Sequence, residues 1–552
     1  MSAAHADPFA DPGSTALPHR TREDASSSTT TDDDDLFPHP SPVLQISRIA
    51  SLTLGTDSLI HLDESAPWPA HCCHLLPSLS KTTRAIPFHN ILWAQGQGSD
   101  IEIWYTESAG RRGRKCVVGT LKYDLPDTDS KTASSWITAL LDRAYPPGTQ
   151  ARKRVKVLVN PFGGQGHATK IWESQVRPIF AAAQWEVDVE MTSHRGHAID
   201  IARNLNLSRY DVVACASGDG LPHEVFNGLA NHPAGGKKAL SSVAVVQIPC
   251  GSGNAMSLNL NGTDSPSLAA LEIVKGKWTE LDLVAITQGS KLTWSFLSQA
   301  VGIIAESDLG TESLRWMGNF RFTWGVLVRV LGKSIYPAQF SVVLDTEDKS
   351  TIMNRYREAV SEHEASTSKG HHLSPPSLSS NDTDLPKLHY GTIQDSLHPD
   401  FTTQDHPNLG NFYVGNMCYM SSDTPFFLAS LPNDSRLDLV CVPGDISRLT
   451  ALRMLTEVAN GTMMNFSELS YRKVKAYRIL PRMDVSKGTR GRLSRWLGGG
   501  RRGQAREGLI SVDGEKVAFE PFQAEVVGRL GRCLSRSGGV YEVGELGSKG
   551  LR

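Results

Sequence analysis

The sequence predicts an α/β plus all-β protein: a Rossmann-like, doubly wound parallel sheet, then an antiparallel β-sandwich, behind a small N-terminal β-rich domain. Three observations predict it. Between 153 and 280 short apolar runs alternate with helical stretches, the signature of parallel strands joined by crossover helices. After 281 the runs become strand-like with a single helix among them. Between 42 and 147 short alternating segments end in one helix-like stretch.

Residues 1–41 carry the run Ser26–Thr31 followed by Asp32–Asp35, a composition that buries too little apolar area to offset chain entropy, so a disordered tail is expected. The segments Val43–Ile46, Ile86–Leu92, Ile101–Tyr105 and Cys116–Leu121, closed by the helical stretch Ser134–Ala144, read equally as a pleckstrin-homology-like module or a plain β-rich accessory domain. At Val155–Val159 a continuous apolar run suits a buried parallel strand. Helix Ala168–Ala183, strand Val187–Met191, helix Ala198–Leu205, strand Asp211–Ala216, helix Pro222–Ala230 and strand Val243–Ile248 follow. The sandwich is assigned to 281–344 and 409–527, with strands in Trp294–Ile304, Gln339–Leu344, Asn411–Tyr419, Arg436–Val442, Tyr471–Leu480 and Leu509–Phe519, and one helix, Ile446–Val458. The Ser/His/Pro-rich stretch 345–408 reads as a disordered insertion, Gly488–Arg506 as a second flexible element and 528–552 as a C-terminal tail.

Composition narrows the function. An apolar share of 39%, a charged share of 21% and a net charge of -2 describe an ordinary globular chain, without the basic field a nucleic-acid partner needs. Eight cysteines include no CxxC pair and no His/Cys metal spacing, which fits a reducing, cytoplasmic setting and argues against zinc or disulfides. No secretory signal is visible, and Phe296–Ala305 and Phe322–Leu331 are too short or too interrupted to span a bilayer. Any membrane contact is therefore peripheral. Arg111–Lys115 and Arg490–Arg506, the latter with Trp496 and Leu497, read as solvated loops or as docking segments for anionic lipid.

Three glycine-rich turns stand at the carboxyl ends of expected strands: Asn160-Pro161-Phe162-Gly163-Gly164-Gln165-Gly166, Ser217-Gly218-Asp219-Gly220 and Pro249-Cys250-Gly251-Ser252-Gly253-Asn254. Glycine permits close backbone approach, and a helix start offers unpaired N–H groups, so together the turns suit phosphates. None matches a Walker motif or the dinucleotide fingerprint. Asp219 is oddly placed for such a surface, because a carboxylate repels phosphate. It is either a proton acceptor or Mg²⁺ organiser, or a plain N-cap of the following helix. His194, His197 and His223 lack metal partners at useful spacing and read as packing or hydrogen-bonding residues.

The runs Val157–Gly166, Ser217–Glu224 and Gly251–Asn254 resemble the diacylglycerol-kinase-type catalytic domain. The resemblance sharpens to the sphingosine, or sphingoid long-chain-base, kinases through Ser298, Gly302, Asp308, Glu312, Arg315, Arg321-Phe322-Thr323 and Asp513-Gly514-Glu515. Pro222 and Pro249-Cys250 look closer to the fungal members. The resemblance implies an Mg²⁺·ATP-dependent lipid kinase with Asp219 as general base. ATP would meet Asn160, Pro161, Phe162, Gly163, Gly164, Thr192, Ser193, His194, Arg195, Gly196, Glu224, Gly251, Ser252, Gly253, Arg315, Arg321, Asp513, Gly514 and Glu515. The lipid would meet Ser217, Gly218, Asp219, Gly220, Ser298 and Asp308, with Asp308 holding the amine that ceramide or diacylglycerol lacks. No metal ligand is implied. Each residue also has a structural reading: Arg315 and Arg321 in surface ion pairs, Asp308 as a cap, Asp513-Gly514 as a hairpin turn, and Ile303, Ile304 and Phe322 as core rather than a lining for the alkyl chain.

Overall fold

Four strands, Arg154–Val159, Glu186–Met191, Val212–Ser217 and Ala244–Pro249, pair in parallel in the spatial order 244–249, 212–217, 154–159, 186–191. The two strands at 212–217 and 244–249 are buried at every position, which is why they read as unbroken apolar runs; the edge strand 186–191 is half-exposed, with Val189 and Met191 toward water and Asp188 and Glu190 paired to Lys156 of its neighbour. Alternate side chains feed two cores. Val155, Val157, Val212, Ala214 and Val246 meet Trp172, Ile179 and Phe180 and the helix Pro266–Lys275. Leu158, Val213, Cys215 and Val245 meet the helices His197–Arg203, Gly220–Ala230 and Gly236–Ser242 on the opposite face. The chain leaves strand 154–159 for one side of the sheet and returns at 212–217 on its other side. The carboxyl ends of these two strands therefore flank a topological switch point, the usual ligand crevice of such sheets.

This computed structural model describes residues 41–65, 83–97, 100–110, 113–125, 130–310, 334–368, 383–482 and 508–543. The expected tail before 41, the flexible element 488–506 with Trp496 and Leu497, and Arg111–Arg112 lie outside them. Ahead of the parallel sheet, four strands (Val43–Ser47, Ala50–Leu54, Ser58–Asp63, Thr83–Pro87) and three more (Ile91–Gln97, Asp100–Ala109, Lys115–Asp124) form two antiparallel sheets. Helix Ser130–Ala144 closes them by burying Trp136, Leu140 and Ala144 against Leu52, Leu59, Ile101 and Ile103. This module seats on helix Pro266–Lys275. Lys275 Nζ donates to the carbonyls of Ile91 and Ala144 and lies 3.7 Å from the centre of the Tyr145 ring.

The antiparallel part departs from a two-sheet sandwich: eleven strands form one continuous hydrogen-bonded sheet. It forks at the long strand Ser470–Pro481. One edge of that strand pairs with Ala338–Thr346, while the other pairs first with Leu437–Pro443 and then with Phe522–Ser535. Phe340, Phe412, Tyr477 and Phe522 fill a shared apolar core. Two expectations are corrected. The chain does not pass into a tail at 528, because Phe522–Ser535 pairs with Lys277–Gln288 as far as Lys277↔Ser535. Gly528 and the left-handed Arg529 (φ 57°) mask the strand because they lie in a bulge, after which Gly531 resumes pairing opposite Leu281. There the buried Asp282 carboxylate accepts from the N–H groups of Arg529 (2.7 Å) and Ser435 (2.5 Å).

The stretch 345–408 is not a structureless insertion either. Helix Lys349–Ser368 buries Ile352, Met353 and Tyr356 on one face, and strand Thr402–His406 adds to the edge strand Ala338–Thr346. Between them Glu525 accepts from the N–H groups of His389 and Tyr390, and Gln523 donates to the carbonyls of Tyr390 and Gly391. Polar composition hid these elements because only one narrow face of the helix is apolar.

Candidate active site

The second and third glycine turns touch backbone to backbone. A Cβ placed on Gly251 would stand 2.5 Å from Gly218 Cα, a distance no side chain tolerates. The third turn is closed by Asn254, left-handed at φ 53°, whose Oδ1 accepts from Gly251 N–H (2.7 Å) and whose Nδ2 donates to Gly251 O (3.0 Å). In the first turn Asn160 Oδ1 accepts from Phe162 N–H (3.0 Å), and the ring of Phe162 stands exposed.

Asp219 occupies the N-cap position of helix Gly220–Ala230, yet its side chain makes no capping bond to that helix. Its carboxylate reaches the start of helix Ala255–Asn261 instead: Oδ2 accepts from Ala255 N–H (3.1 Å), and Oδ1 from Met256 N–H (3.0 Å) and the Gln247 amide (3.1 Å). A carboxylate is favoured at a helix N-terminus by its unpaired donors. Desolvation works the other way and prevails: it raises the Asp219 pKa above the ordinary carboxylate value, with a smaller push from the charge of Asp513, against the lowering effect of the three donors.

Beside Asp219 a cavity of about 240 Å³ opens at the switch point. Asn160 and Phe162 of the first turn, Thr192, His194 and Arg195 of the loop after strand 186–191, Ser217, Gly218 and Gly220, and Glu224 and Glu515 line it, as does Leu221, which the sequence did not single out. Pro161, Gly163 and Gly164 belong to the same first turn, and Ser252 and Gly253 to the third. A Cβ on Gly253 would meet Asp219 Oδ2 at 3.3 Å. Within the 192–196 loop Ser193 N–H donates to His197 Nδ1 (3.2 Å) and Gly196 is left-handed at φ 86°. Glu224 has both oxygens engaged, accepting from Gly196 N–H (2.9 Å) and Ala198 N–H (3.1 Å). It clamps the loop and caps the helix after it.

Asp513 and Glu515 part company. Strands Ile510–Val512 and Glu515–Val517 pair with Val512 opposite Glu515, leaving Asp513-Gly514 as a two-residue hairpin turn with φ 50° and 82°. The Asp513 carboxylate points inward. Oδ1 accepts from Ser295 Oγ (2.5 Å), Leu297 N–H (3.0 Å) and Ser298 N–H (2.9 Å); Oδ2 accepts from Phe296 N–H (3.1 Å) and pairs with His223 Nδ1 (2.8 Å). Glu515 faces the cavity and pairs with Arg195. Ser298 is buried in the Asp513 cradle, its hydroxyl 3.4 Å from that of Tyr413. Asn227 ties the same helix to the sheet by exchanging two hydrogen bonds with the backbone of Trp294 (2.8 and 2.9 Å). Asp308 stands on helix Ile303–Gly310, where Ile304 is half-buried against the core. Glu312, Arg315, Arg321, Phe322 and Thr323 lie outside the described residues.

Gln247, Leu221 and Asn227 are the site residues that sequence reasoning missed. Gln247 carried one faint signal, a single amide inside an otherwise apolar strand. As to metals, the carboxylates of Asp219, Glu224 and Asp513 are all committed to N–H donors. Away from the turns, on the 383–401 stretch, ligating atoms of His389, His398 and Asp400 come within 4.8 Å of one another.

Glycine turns meeting at a switch point, with a carboxylate held by backbone and amide donors between them, define an enzyme of the phosphoryl-transfer class, and residues 154–286 match the family described as Diacylglycerol kinase catalytic domain. Residues 42–146 match a Domain of unknown function (DUF7493). The chain is 32% identical over 481 residues to Sphingoid long chain base kinase 4 of Schizosaccharomyces pombe, covering 86% of this chain and 94% of that protein. It is 33% identical over 457 residues to Sphingoid long chain base kinase 5 of Saccharomyces cerevisiae, covering 74% of this chain but 63% of that protein's length. The chain belongs to the sphingoid long chain base kinase family. A crystal structure of a diacylglycerol kinase from Bacillus anthracis str. Sterne covers 70% of this chain and 98% of its own, at 15% identity and a TM-score of 0.40.

Proposed function

We propose that this protein transfers the γ-phosphoryl group of Mg·ATP to the primary hydroxyl of a sphingoid long-chain base, giving a sphingoid base 1-phosphate and ADP. The observation that carries the reading is Asp219. Three donors fix its carboxylate next to Gly218 and Gly220 of the cavity wall, and desolvation raises its pKa, which makes it a better proton acceptor than an ordinary carboxylate. The substrate hydroxyl would give its proton to Asp219 as its oxygen bonds to the γ-phosphorus and the bridge to the β-phosphate breaks. The phosphates would lie against the glycine turns, whose N–H groups and neighbouring helix starts stabilise negative charge. Mg²⁺ would arrive with ATP and be held chiefly by phosphate oxygens and water; Asp219, Glu224 and Asp513 already accept from N–H donors, which leaves Glu515 as the cavity carboxylate that could add a ligand.

Arg315 and Arg321 would supply fixed positive charge to the phosphates, and Asp308 would take the substrate ammonium. Family membership supports the lipid substrate. The N-terminal module, seven strands in two sheets closed by one helix, is compatible with a pleckstrin-homology-like fold, and with the basic segments it would bring the enzyme to a membrane surface. Among the described residues no helix is long and apolar enough to cross a bilayer.

The test is incubation of purified protein with labelled ATP and a panel of sphingoid bases, ceramide and diacylglycerol. Labelled product is expected from the bases alone, and Asp219→Asn should lower turnover by about 10²–10⁴-fold while leaving ATP binding intact. Near-normal turnover by that variant would remove the base assignment; phosphorylation of ceramide or diacylglycerol instead would move the substrate class.

A further inference from the structure

The geometry points to Gln247 as a positioning residue that directs the transferred proton to Oδ2 of Asp219; the inference rests on Asp219 being the base. Gln247 is 1% exposed in strand Ala244–Pro249, on an otherwise apolar run where a polar side chain is costly unless fully bonded. Its two amide atoms are both used. Oε1 accepts from Ser257 N–H at 2.8 Å, and Nε2 donates to Asp219 Oδ1 at 3.1 Å.

The first bond fixes the second. Ser257 N–H can only donate, so the oxygen of the amide must face it and the NH₂ must face Asp219. A primary amide held that way offers Oδ1 a donor and no acceptor. Oδ1 also takes Met256 N–H, whereas Oδ2 takes Ala255 N–H alone among the described residues. A proton on Oδ1 would displace one of two donors; on Oδ2 it occupies the less subscribed oxygen. Gln247 thus sets which lone pair is the base, and it counters the desolvation that makes Asp219 harder to ionise.

The other ionisable groups near Asp219 are few. Helix Ala255–Asn261 contributes none, the turn 249–254 only the buried Cys250, and helix Gly220–Ala230 His223 and Glu224, of which the first pairs with Asp513 and the second with backbone. From the antiparallel sheet come Asp513 and Glu515, both acidic; Asp513 adds to the upward push, and Glu515 Oε1 stands 3.4 Å from where a Cβ on Gly220 would lie. No described cation faces the carboxylate, so neutral donors alone favour its anion.

The experiment compares pH profiles of kcat/KM for a sphingoid base at saturating Mg·ATP in the full chain, Gln247→Met and Gln247→Glu. Methionine keeps the volume and removes the donor. Glutamate keeps an acceptor for Ser257 and turns a second oxygen toward Oδ1. The acid limb is expected to move up by about one pH unit in Gln247→Met, a tenfold fall in rate on the acid side, and further in Gln247→Glu. At alkaline pH both should return to within about threefold of the parent, with the KM for ATP unchanged. The ionisation of the substrate amine is common to all three and cancels in the comparison. A uniform loss at every pH, or an unmoved limb, overturns the proposal. Should the methionine variant fail to fold, the isosteric glutamate variant reads the same limb. Asp219→Asn run alongside separates the two failures: if it keeps turnover the base assignment falls, and if it is inactive while the limb stays put only the role of Gln247 falls.

Discussion

Asp513 and Glu515 are two residues apart in one short run, and their surroundings assign them opposite work. Asp513 gathers three backbone N–H groups, one hydroxyl and the His223 ring inside a junction where its own side chain sees no solvent. Replacing it with Asn leaves one oxygen where two served and turns an NH₂ toward existing donors. The stability lost should be at least about 2 kcal/mol, the cost of leaving buried donors unpaired. Glu515→Gln should cost under about 0.5 kcal/mol, since its partner Arg195 is largely exposed, and should act on the KM for ATP. Denaturant unfolding and ATP kinetics on both variants check this, and equal destabilisation by the two would contradict it. Glu224 combines the two: it lines the cavity, and its two oxygens hold the 192–196 loop that lines it as well.

At the scale of elements, legibility followed burial and periodicity. The strands at 154–159, 212–217 and 244–249 are nearly continuous apolar runs bounded by glycine turns, so both their extent and the site at their carboxyl ends could be read from the sequence. The strand at 522–535 could not, because a bulge built on glycine and a left-handed Arg529 interrupts its alternation. Helix Lys349–Ser368 escaped because one buried face of Ile352, Met353 and Tyr356 is diluted by charged and hydroxyl residues. Gln247 escaped for a different reason: which acceptor a lone buried amide meets depends on a turn and a helix that follow it in the chain. If the 349–368 helix is part of the folded body, Ile352→Ala should cost about 2–4 kcal/mol of stability, the usual loss for a large-to-small change in a packed interior. The same substitution at the exposed Glu358 should stay within about 0.5 kcal/mol. Equal, negligible effects at the two positions would return the stretch to the status of a loose insertion.

Across the whole molecule, the junction of the N-terminal module with the parallel sheet rests on two buried lysines, and this gives folding a definite pH dependence. Lys153 is fully buried, donates to the carbonyls of Gln150 (2.6 Å) and Val274 (3.0 Å), and desolvation lowers its pKa to about 7 despite the nearby charge of Asp211. Lys275, bridging the two parts through Ile91 and Ala144, is lowered well below the ordinary lysine value, by burial first and by the charge of Lys153 second. In the unfolded chain both titrate near 10.4. Between about pH 7 and 10 the unfolded state therefore binds more protons than the folded one, and stability rises with pH through that window. Asp282, raised to about 7 by burial, acts in the reverse sense, since its folded form holds the proton longer; its effect falls between about pH 4 and 7 and does not oppose the alkaline rise. Between pH 7 and pH 9.5 Lys153 should contribute a gain on the order of 3 kcal/mol, with Lys275 adding in the same direction, while the buried thiols, whose pKa burial raises, subtract from the total as the thiols of the unfolded chain ionise. In denaturant unfolding at the two pH values, Lys153→Met should remove its share of the gain and adding Lys275→Met the rest, so the difference between parent and double variant isolates the two amines from the thiols, which are common to both. An unchanged slope in the double variant would mean that the ammonium groups keep enough water to stay charged, and that the junction is held by packing alone.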